Sequence, residues 1–355
     1  QVPDSAVCNE AVKLAKKRGF SRLSGFVNGV LRNISRKKET ISYPKKDKNL
    51  VTYLSVTYSI PEWIIKFFMK TYDDETVEKI IESYLEDKKT TLCCLMSKGG
   101  KDVIRKELEE ENVTVEDGEL IENAVKISDY DFLYRLRAFR EGKCYVQDES
   151  SMLCAKLAGA KEGQFVMDLC SAPGGKSLYT ADQMKGSGQV LSRDLTEYKT
   201  DLIEDNIERM GFTNMEAEVF DATILDEEHI EAADVVIADV PCSGLGIMGK
   251  KNDIKYHISE DGMKDLVKLQ REILTNAVQY VKHGGTLIYS TCTINPEENE
   301  KNMQWIINNF DYEAVDITEE LPKNLKIETA KDGYIQLLPG VHSCDGFFIA
   351  KLRRK

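Results

Sequence analysis

The stretch Asp168-Leu169-Cys170-Ser171-Ala172-Pro173-Gly174-Gly175-Lys176-Ser177 follows an apolar run that begins at Phe165 and precedes a helical pattern. A buried strand that turns into a helix through two adjacent glycines allows a ligand to approach the backbone N–H groups at the helix N-terminus. Two phosphate-binding readings fail on spacing. A Walker A loop needs glycine five residues before Gly175, where Cys170 stands, and the G-x-G-x-x-G dinucleotide fingerprint does not occur here.

Outward from this turn, apolar runs at Phe165–Cys170, Gln189–Asp194, Glu216–Asp221, Ala233–Asp239, Thr286–Ser290 and Gly346–Leu352 read as strands. Helical patterns lie between them, notably Leu266–Val281 and Glu297–Asn309. This alternation predicts an α/β fold with a parallel, doubly wound sheet, whose ligands bind at the carboxyl ends of the strands. Carboxylates collect at those ends. Asp194 stands 18 positions after Lys176, where it can take both hydroxyls of a ribose, while Asp221 and Asp239 end the next two strands. One such carboxylate need do no more than cap the following helix. Three in succession around a glycine turn favour a nucleoside ligand, and the missing phosphate cradle favours one with a sulfonium tail over a dinucleotide.

The fourth strand delivers Asp239-Val240-Pro241-Cys242-Ser243-Gly244, and the fifth delivers Ser290-Thr291-Cys292-Thr293-Ile294-Asn295-Pro296-Glu297-Glu298-Asn299. If these strands are neighbours, two thiols and a carboxylate share one crevice. Cys8, Cys93, Cys94, Cys144, Cys154 and Cys344 read as packing residues, the usual role of a free cysteine. Cys292 differs because it leaves a strand just before a helix expected to begin with Pro296, and a helix N-terminus favours the reactive thiolate.

Upstream, Ala11, Leu14 and Ala15, then Phe26, Val27, Val30 and Leu31, recur at helical spacing on either side of Gly19, predicting two helices of an incomplete bundle. Because the chain opens without Met and inside this pattern, further residues are expected before it. A lysine-rich connection leads to helices through Ile64, Ile65 and Phe68 and through Val77, Ile80, Ile81 and Tyr84. A strand at Thr91–Met96, a helix at Asp102–Glu111 and a strand at Lys126–Ser128 complete a small α+β unit. The expected division is therefore 1–48, 49–143 and 144–355.

With 42% hydrophobic and 30% charged residues, the chain contains no run of about 18 apolar residues able to span a membrane. Nine scattered cysteines without a C-x-x-C pair, and four distant histidines (His229, His257, His283, His342), argue against a disulfide framework or metal site and for a cytoplasmic setting. The net charge of −12 conceals a basic first segment, with Lys13, Lys16, Lys17, Arg18, Arg22, Arg32, Arg36, Lys37, Lys38, Lys45, Lys46 and Lys48. Such clustering fits nucleic acid, although a solvated helix face has the same composition.

Five motifs together resemble one family, the bacterial ribosomal-RNA cytosine-5 methyltransferases of the RsmB/Sun/Fmu type. They are Val146-Gln147-Asp148-Glu149-Ser150-Ser151, the Cys170–Lys176 loop, Asp239–Gly244, Ser290–Glu298 and Asp345-Gly346-Phe347-Phe348. Gly25-Phe26-Val27-Asn28-Gly29-Val30-Leu31-Arg32-Asn33 looks like the end of the NusB-type RNA-binding bundle that the family carries. The resemblance implies a Rossmann-like class I methyltransferase domain with a mostly parallel seven-stranded sheet, S-adenosylmethionine as cofactor, and RNA, in particular 16S ribosomal RNA, as substrate of a monomer without metal. It implies that Cys170, Ser171, Ala172, Pro173, Gly174, Gly175, Lys176, Asp194, Asp221 and Asp239 bind the cofactor. Cys292 would be the nucleophile, Cys242 would assist product release, and Asp239 would stabilise the charge that develops on the base. Ser171 stands where the family usually has Ala, Asn252 precedes Asp253 where Pro is common, and the family's L-R-V-N sequence is missing near Leu92–Lys98.

The chemistry needs these residues because cytosine C5 is too weak a nucleophile to take methyl from a sulfonium unaided. Thiolate addition to C6 makes C5 enamine-like. The base must leave its stack to reach such a pocket, so single-stranded or loop RNA is expected, with Lys250, Lys251 and Lys255 placed to meet phosphate or merely solvent. Two other classes compete: a dehydrogenase with a reactive cysteine lacks its glycine fingerprint, and a non-catalytic RNA-binding module leaves the paired thiols without a purpose. An amide N-methyltransferase would carry an aromatic residue where Cys242 stands.

Overall fold

The computed structural model describes residues 2–40 and 42–355, in two compact units that divide after Ile65. Gln1, the first residue of the expected 1–48 segment, and Ile41 lie outside the described residues. In the first unit, the helices Asp4–Lys17 and Ser24–Lys37 pack on each other after a turn at Gly19 (φ +84°). Only Cys8 is buried by them, and Phe26, Val30 and Ile34 stay exposed. Two more helices follow, Leu50–Tyr58, capped by the Asn49 side chain, and Glu62–Phe68 after Pro61. The former escaped the sequence reading because its nine residues are apolar nearly all round and show no stripe.

The second unit carries a small and a large sheet. In the small sheet β1 (Thr90–Cys94) is flanked by β2 (Thr114–Asp117), β3 (Ala124–Ser128) and β4 (Cys144–Val146) in the antiparallel order β2-β3-β1-β4. The Cys144 expected to open the last segment thus pairs with Cys94 as part of an edge strand here.

The large sheet contains β5 (Phe165–Asp168), β6 (Gln189–Asp194), β7 (Met215–Val219), β8 (Ala233–Asp239), β9 (Val281–Thr291), β10 (Tyr312–Ala314), β11 (Tyr334–Leu337) and β12 (Phe347–Arg354). Seven run in the order β10-β12-β9-β8-β5-β6-β7, and β11 pairs with β12. From β7 to β9 the pairing is parallel, while β12 joins β9 antiparallel and carries β10 and β11. This is the doubly wound α/β architecture expected. Helices Glu149–Ala158 and Gly175–Gln183 bury their apolar residues on one face of the sheet, and Glu260–Tyr280 and Glu300–Asn309 on the other. With both faces covered, β8 can read as the continuous run Val235-Val236-Ile237-Ala238.

Candidate active site

β5 ends at Asp168, which is fully buried, and its Oδ2 accepts a hydrogen bond of 2.7 Å from Ser177 Oγ in the first turn of the following helix. Oδ1 has no partner. Burial pushes this carboxyl up to about 6, with the Asp239 charge adding to the effect and Ser177 and Lys176 opposing it. The loop between strand and helix explains its glycines. Gly174 takes φ +100°, and a Cβ on Gly175 would lie 2.9 Å from Gln147 Nε2. Ser171 N–H donates to Arg193 O at 2.8 Å and Ala172 N–H to Asp194 Oδ2 at 2.9 Å, so the end of β6 braces the loop.

Of the expected cofactor residues, Asp194 braces this loop, while Lys176 and Asp239 pair with each other. Cys170 is half-buried in the loop, its thiol held far up by burial and by Asp194, Asp168 and Asp239. Asp194 is buried, and besides Ala172 it accepts Leu195 N–H and the half-exposed Lys199 ammonium, each at 2.8 Å. Asp221 follows Phe220, whose N–H donates to Asp194 O, and its carboxylate is turned back on Thr223 N–H and Oγ1, which hold it below its usual range. Lys176 points away from the loop. Its buried ammonium lies 2.6 Å from Asp239 Oδ2 and 5.2 Å from the centre of the Phe347 ring. Burial works against its charge, but Asp239 outweighs it and keeps the amine protonated.

β8 and β9 are neighbours, with Asp239 opposite Ser290, and Ser290 Oγ donates to Asp239 Oδ1 at 2.9 Å. Beyond this pair the two loops bring Cys242 Sγ and Cys292 Sγ to 3.3 Å. The contact with Cys292, then burial, raise the Cys242 thiol well above its ordinary value. The loops are tied to each other: Ser243 Oγ meets Thr293 Oγ1 at 2.7 Å, and buried Glu298 accepts from Ser243 N–H, Gln270 Nε2 and Asn295 Nδ2 at 2.8–2.9 Å. Gly246 N–H donates to Cys292 O, and Gly346 N–H to Gly246 O.

One sequence argument for Cys292 is overturned. The helix expected from Pro296 or Glu297 begins at Glu300, so no helix N-terminus adjoins the sulfur. Residues 295–299 instead form turns in which Asn295, Glu298 and Asn299 use their side chains to hold the neighbouring loops. The lysines proposed to meet phosphate also differ: Lys250 is ion-paired with Asp148 and Asp345, Lys255 is buried with its ammonium over Tyr256, and Lys251 is exposed. The sequence reading passed over Glu298, Gln270 and Ser243. Their signal is a polar cluster, Asn295 to Asn299, directly behind an apolar strand, where burial forces each group to find a partner.

The sequence matches the model of the family described as 16S rRNA methyltransferase RsmB/F over residues 155–353, and that of the NusB family over residues 1–36. A Bacillus subtilis protein named probable ribosomal RNA small subunit methyltransferase B is 37% identical over 360 residues, covering 100% of this chain and 79% of the relative. The crystal structure of PH0851 superposes with a TM-score of 0.86 at 29% identity, covering 99% of this chain and 77% of the other. The fold is shared, at 20% identity and a TM-score of 0.74 over 83% of this chain and 98% of the other, with NSun6 from Pyrococcus horikoshii solved with SFG. With one family model matched over more than half of the chain and a relative aligned along all of it, the chain belongs to the 16S rRNA methyltransferase RsmB/F family of S-adenosylmethionine-dependent enzymes.

Proposed function

We propose that this chain methylates C5 of a cytosine in 16S ribosomal RNA, with Cys292 as covalent nucleophile. The observation that carries the reading is the pair of sulfurs 3.3 Å apart at the ends of β8 and β9, beside the Lys176–Asp239 ion pair. S-adenosylmethionine, when bound, supplies an electrophilic methyl group on a sulfonium. The residues around the β5 turn fit it: the orphaned Asp168 oxygen suits a cationic ligand, the N-terminus of the helix that starts at Gly175 suits a carboxylate, and Asp194 suits the ribose hydroxyls. Asp221 lies next along the sheet edge for the base of the cofactor.

On the RNA side, the Cys292 thiolate adds to C6, and the C5–C6 π pair moves towards C5, which then forms its bond to methyl. Lys176, kept charged by Asp239, offers a proton or hydrogen bond to the base as its ring gains charge. The proton on C5 must then leave before the C6–S bond breaks and Cys292 departs as thiolate. The largest influence that keeps Cys242 protonated is its contact with the Cys292 sulfur. Once that sulfur is a thioether the influence is gone, so Cys242 gives its proton to solvent more easily and, as thiolate, takes the proton from C5, whose electron pair then expels the Cys292 sulfur from C6. The basic helices upstream, matched to the NusB family, supply RNA affinity in this reading.

Denaturing electrophoresis after incubation with a 16S ribosomal RNA transcript and cofactor tests the assignment. Cys242→Ala should yield a shifted, nuclease-sensitive band, because attack and methyl transfer remain while elimination is impaired. Cys292→Ala should yield none and should incorporate no methyl. An adduct with the Cys292 variant reverses the roles; an adduct with neither, together with undiminished methylation by Cys292→Ala, removes the covalent route.

A further inference from the structure

Lys250 sits in the loop that follows Cys242, and its ammonium bridges two carboxylates from distant segments, Asp148 Oδ2 at 2.9 Å and Asp345 Oδ2 at 2.6 Å. Asp148 caps the helix Glu149–Ala158, and its Oδ1 accepts from Ser150 N–H, from Ser150 Oγ and from the Asp345 backbone N–H at 3.1 Å. The carboxylates thus stand side by side, both largely shielded from water. A third charge, the Lys88 ammonium, reaches Asp345 Oδ1 at 3.4 Å. Burial works to raise Asp148, yet Lys250 and the hydrogen bonds hold it down at about 2; Asp345 is raised by burial and by Asp148, with Lys250 and Lys88 opposing. Two carboxylates this close stay charged together only while a cation sits between them.

Each segment joined by Lys250 continues into the active site. Gln147, beside Asp148, packs against Gly175 of the cofactor loop. From Asp345 the chain passes to Gly346, bonded to Gly246, which in turn bonds Cys292 O, and then to Phe347, whose ring lies by the Lys176 ammonium. The fit at the crossing is tight: a Cβ on Gly246 would lie 2.1 Å from Gly346 O. A shift of Asp345 is therefore passed to the Cys242 loop and to the surroundings of Lys176.

We propose that Lys250 is a positioning residue for methyl transfer, which by neutralising Asp148 and Asp345 together holds the Cys242 loop and the start of β12 in register with the cofactor loop. The assignment rests on the active site proposed above. Its natural competitor is a direct RNA contact, because the lysine also lines a cavity of about 490 Å³ with Lys88, Lys89 and Lys126.

Methyl incorporation into a 16S ribosomal RNA transcript, measured for Lys250→Met, Lys250→Arg and the double variant Lys250→Met/Asp345→Asn over a range of salt, separates the two. Displacement of reacting groups by about 1 Å costs on the order of a hundredfold, so Lys250→Met should lower kcat about ten- to hundredfold, with KM for RNA and its salt dependence unchanged. Lys250→Arg should keep most of the rate, and the double variant should regain part of it because one uncompensated carboxylate is gone. A raised KM with a flatter salt dependence and intact kcat assigns Lys250 to phosphate and overturns the proposal. So does a double variant no better than the single one, or loss of the folded state in all three proteins, read by thermal unfolding. The assay does not presuppose a cysteine adduct, so failure of the covalent reading appears in the electrophoresis above and leaves this comparison decisive.

Discussion

Asp168 shows how a single residue can couple the ligand site to stability. Its carboxyl is fully buried with one oxygen unpartnered, and its pKa stands at about 6 in the folded chain. A folded pKa above the unfolded value near 4 means that the native state holds the proton more tightly, so this group's contribution is complete below about pH 4 and is lost as pH rises through about 6. The span of roughly two units corresponds to about 3 kcal/mol. Asp168→Asn keeps an acceptor for Ser177 and removes the ionisation, so its stability relative to the natural chain should rise by about that amount between pH 4 and pH 7. Urea unfolding of both proteins across this range, without cofactor, checks it; parallel profiles would mean that Asp168 does not titrate there. At this scale the sequence was legible wherever chemistry dictates the residue type, as with Cys242, Cys292 and the strand-end aspartates. Lys250 was read as meeting either phosphate or merely solvent, because the carboxylates it meets lie 102 and 95 positions away.

Among the elements, β6 and β8 match their expected limits, because runs buried on both faces leave little choice of register, whereas β9 begins at Val281 and not at the expected Thr286. β2, β4, β10 and β11 went unseen: each has three or four residues and either lies at a sheet edge or pairs only with β12, so no periodic pattern can build up. The delayed start of the helix Glu300–Asn309 has a different cause, since Glu298 is withdrawn from helix formation to accept three hydrogen bonds, from Ser243 and Asn295 in the loops of the two cysteines and from Gln270 on the helix Glu260–Tyr280. Glu298→Ala leaves those buried donors without an acceptor, at about 1–3 kcal/mol each. The variant should lose on the order of 3–5 kcal/mol in denaturant unfolding, whereas Glu298→Gln, which keeps one acceptor oxygen, should lose less. Equal losses would show that packing rather than the hydrogen bonds decides.

Over the whole molecule, the net charge of −12 gives no hint of an RNA enzyme, and only its distribution along the chain does. The motifs from Asp168 to Cys292 likewise foretold that one sheet would gather them, since parallel strands place their carboxyl ends on one side, whereas Phe348 joins it on the antiparallel β12. The sequence also foretold which thiols lie in the interior and which by the cleft. Six of the nine cysteines are buried, among them Cys93, Cys144 and Cys154, which burial pushes up to about 12. Of the three half-buried ones, Cys170 is held protonated by burial and by its carboxylate neighbours, and Cys242 by its contact with Cys292 and by burial. Brief treatment of the native chain with iodoacetamide should therefore add one label, found on Cys292 by peptide mass mapping, and bound RNA should shield it; prior labelling of any interior cysteine would contradict this partition. The chain thus carries its own titrant site, and the uptake of one small reagent counts the molecules in a preparation whose catalytic cleft is intact.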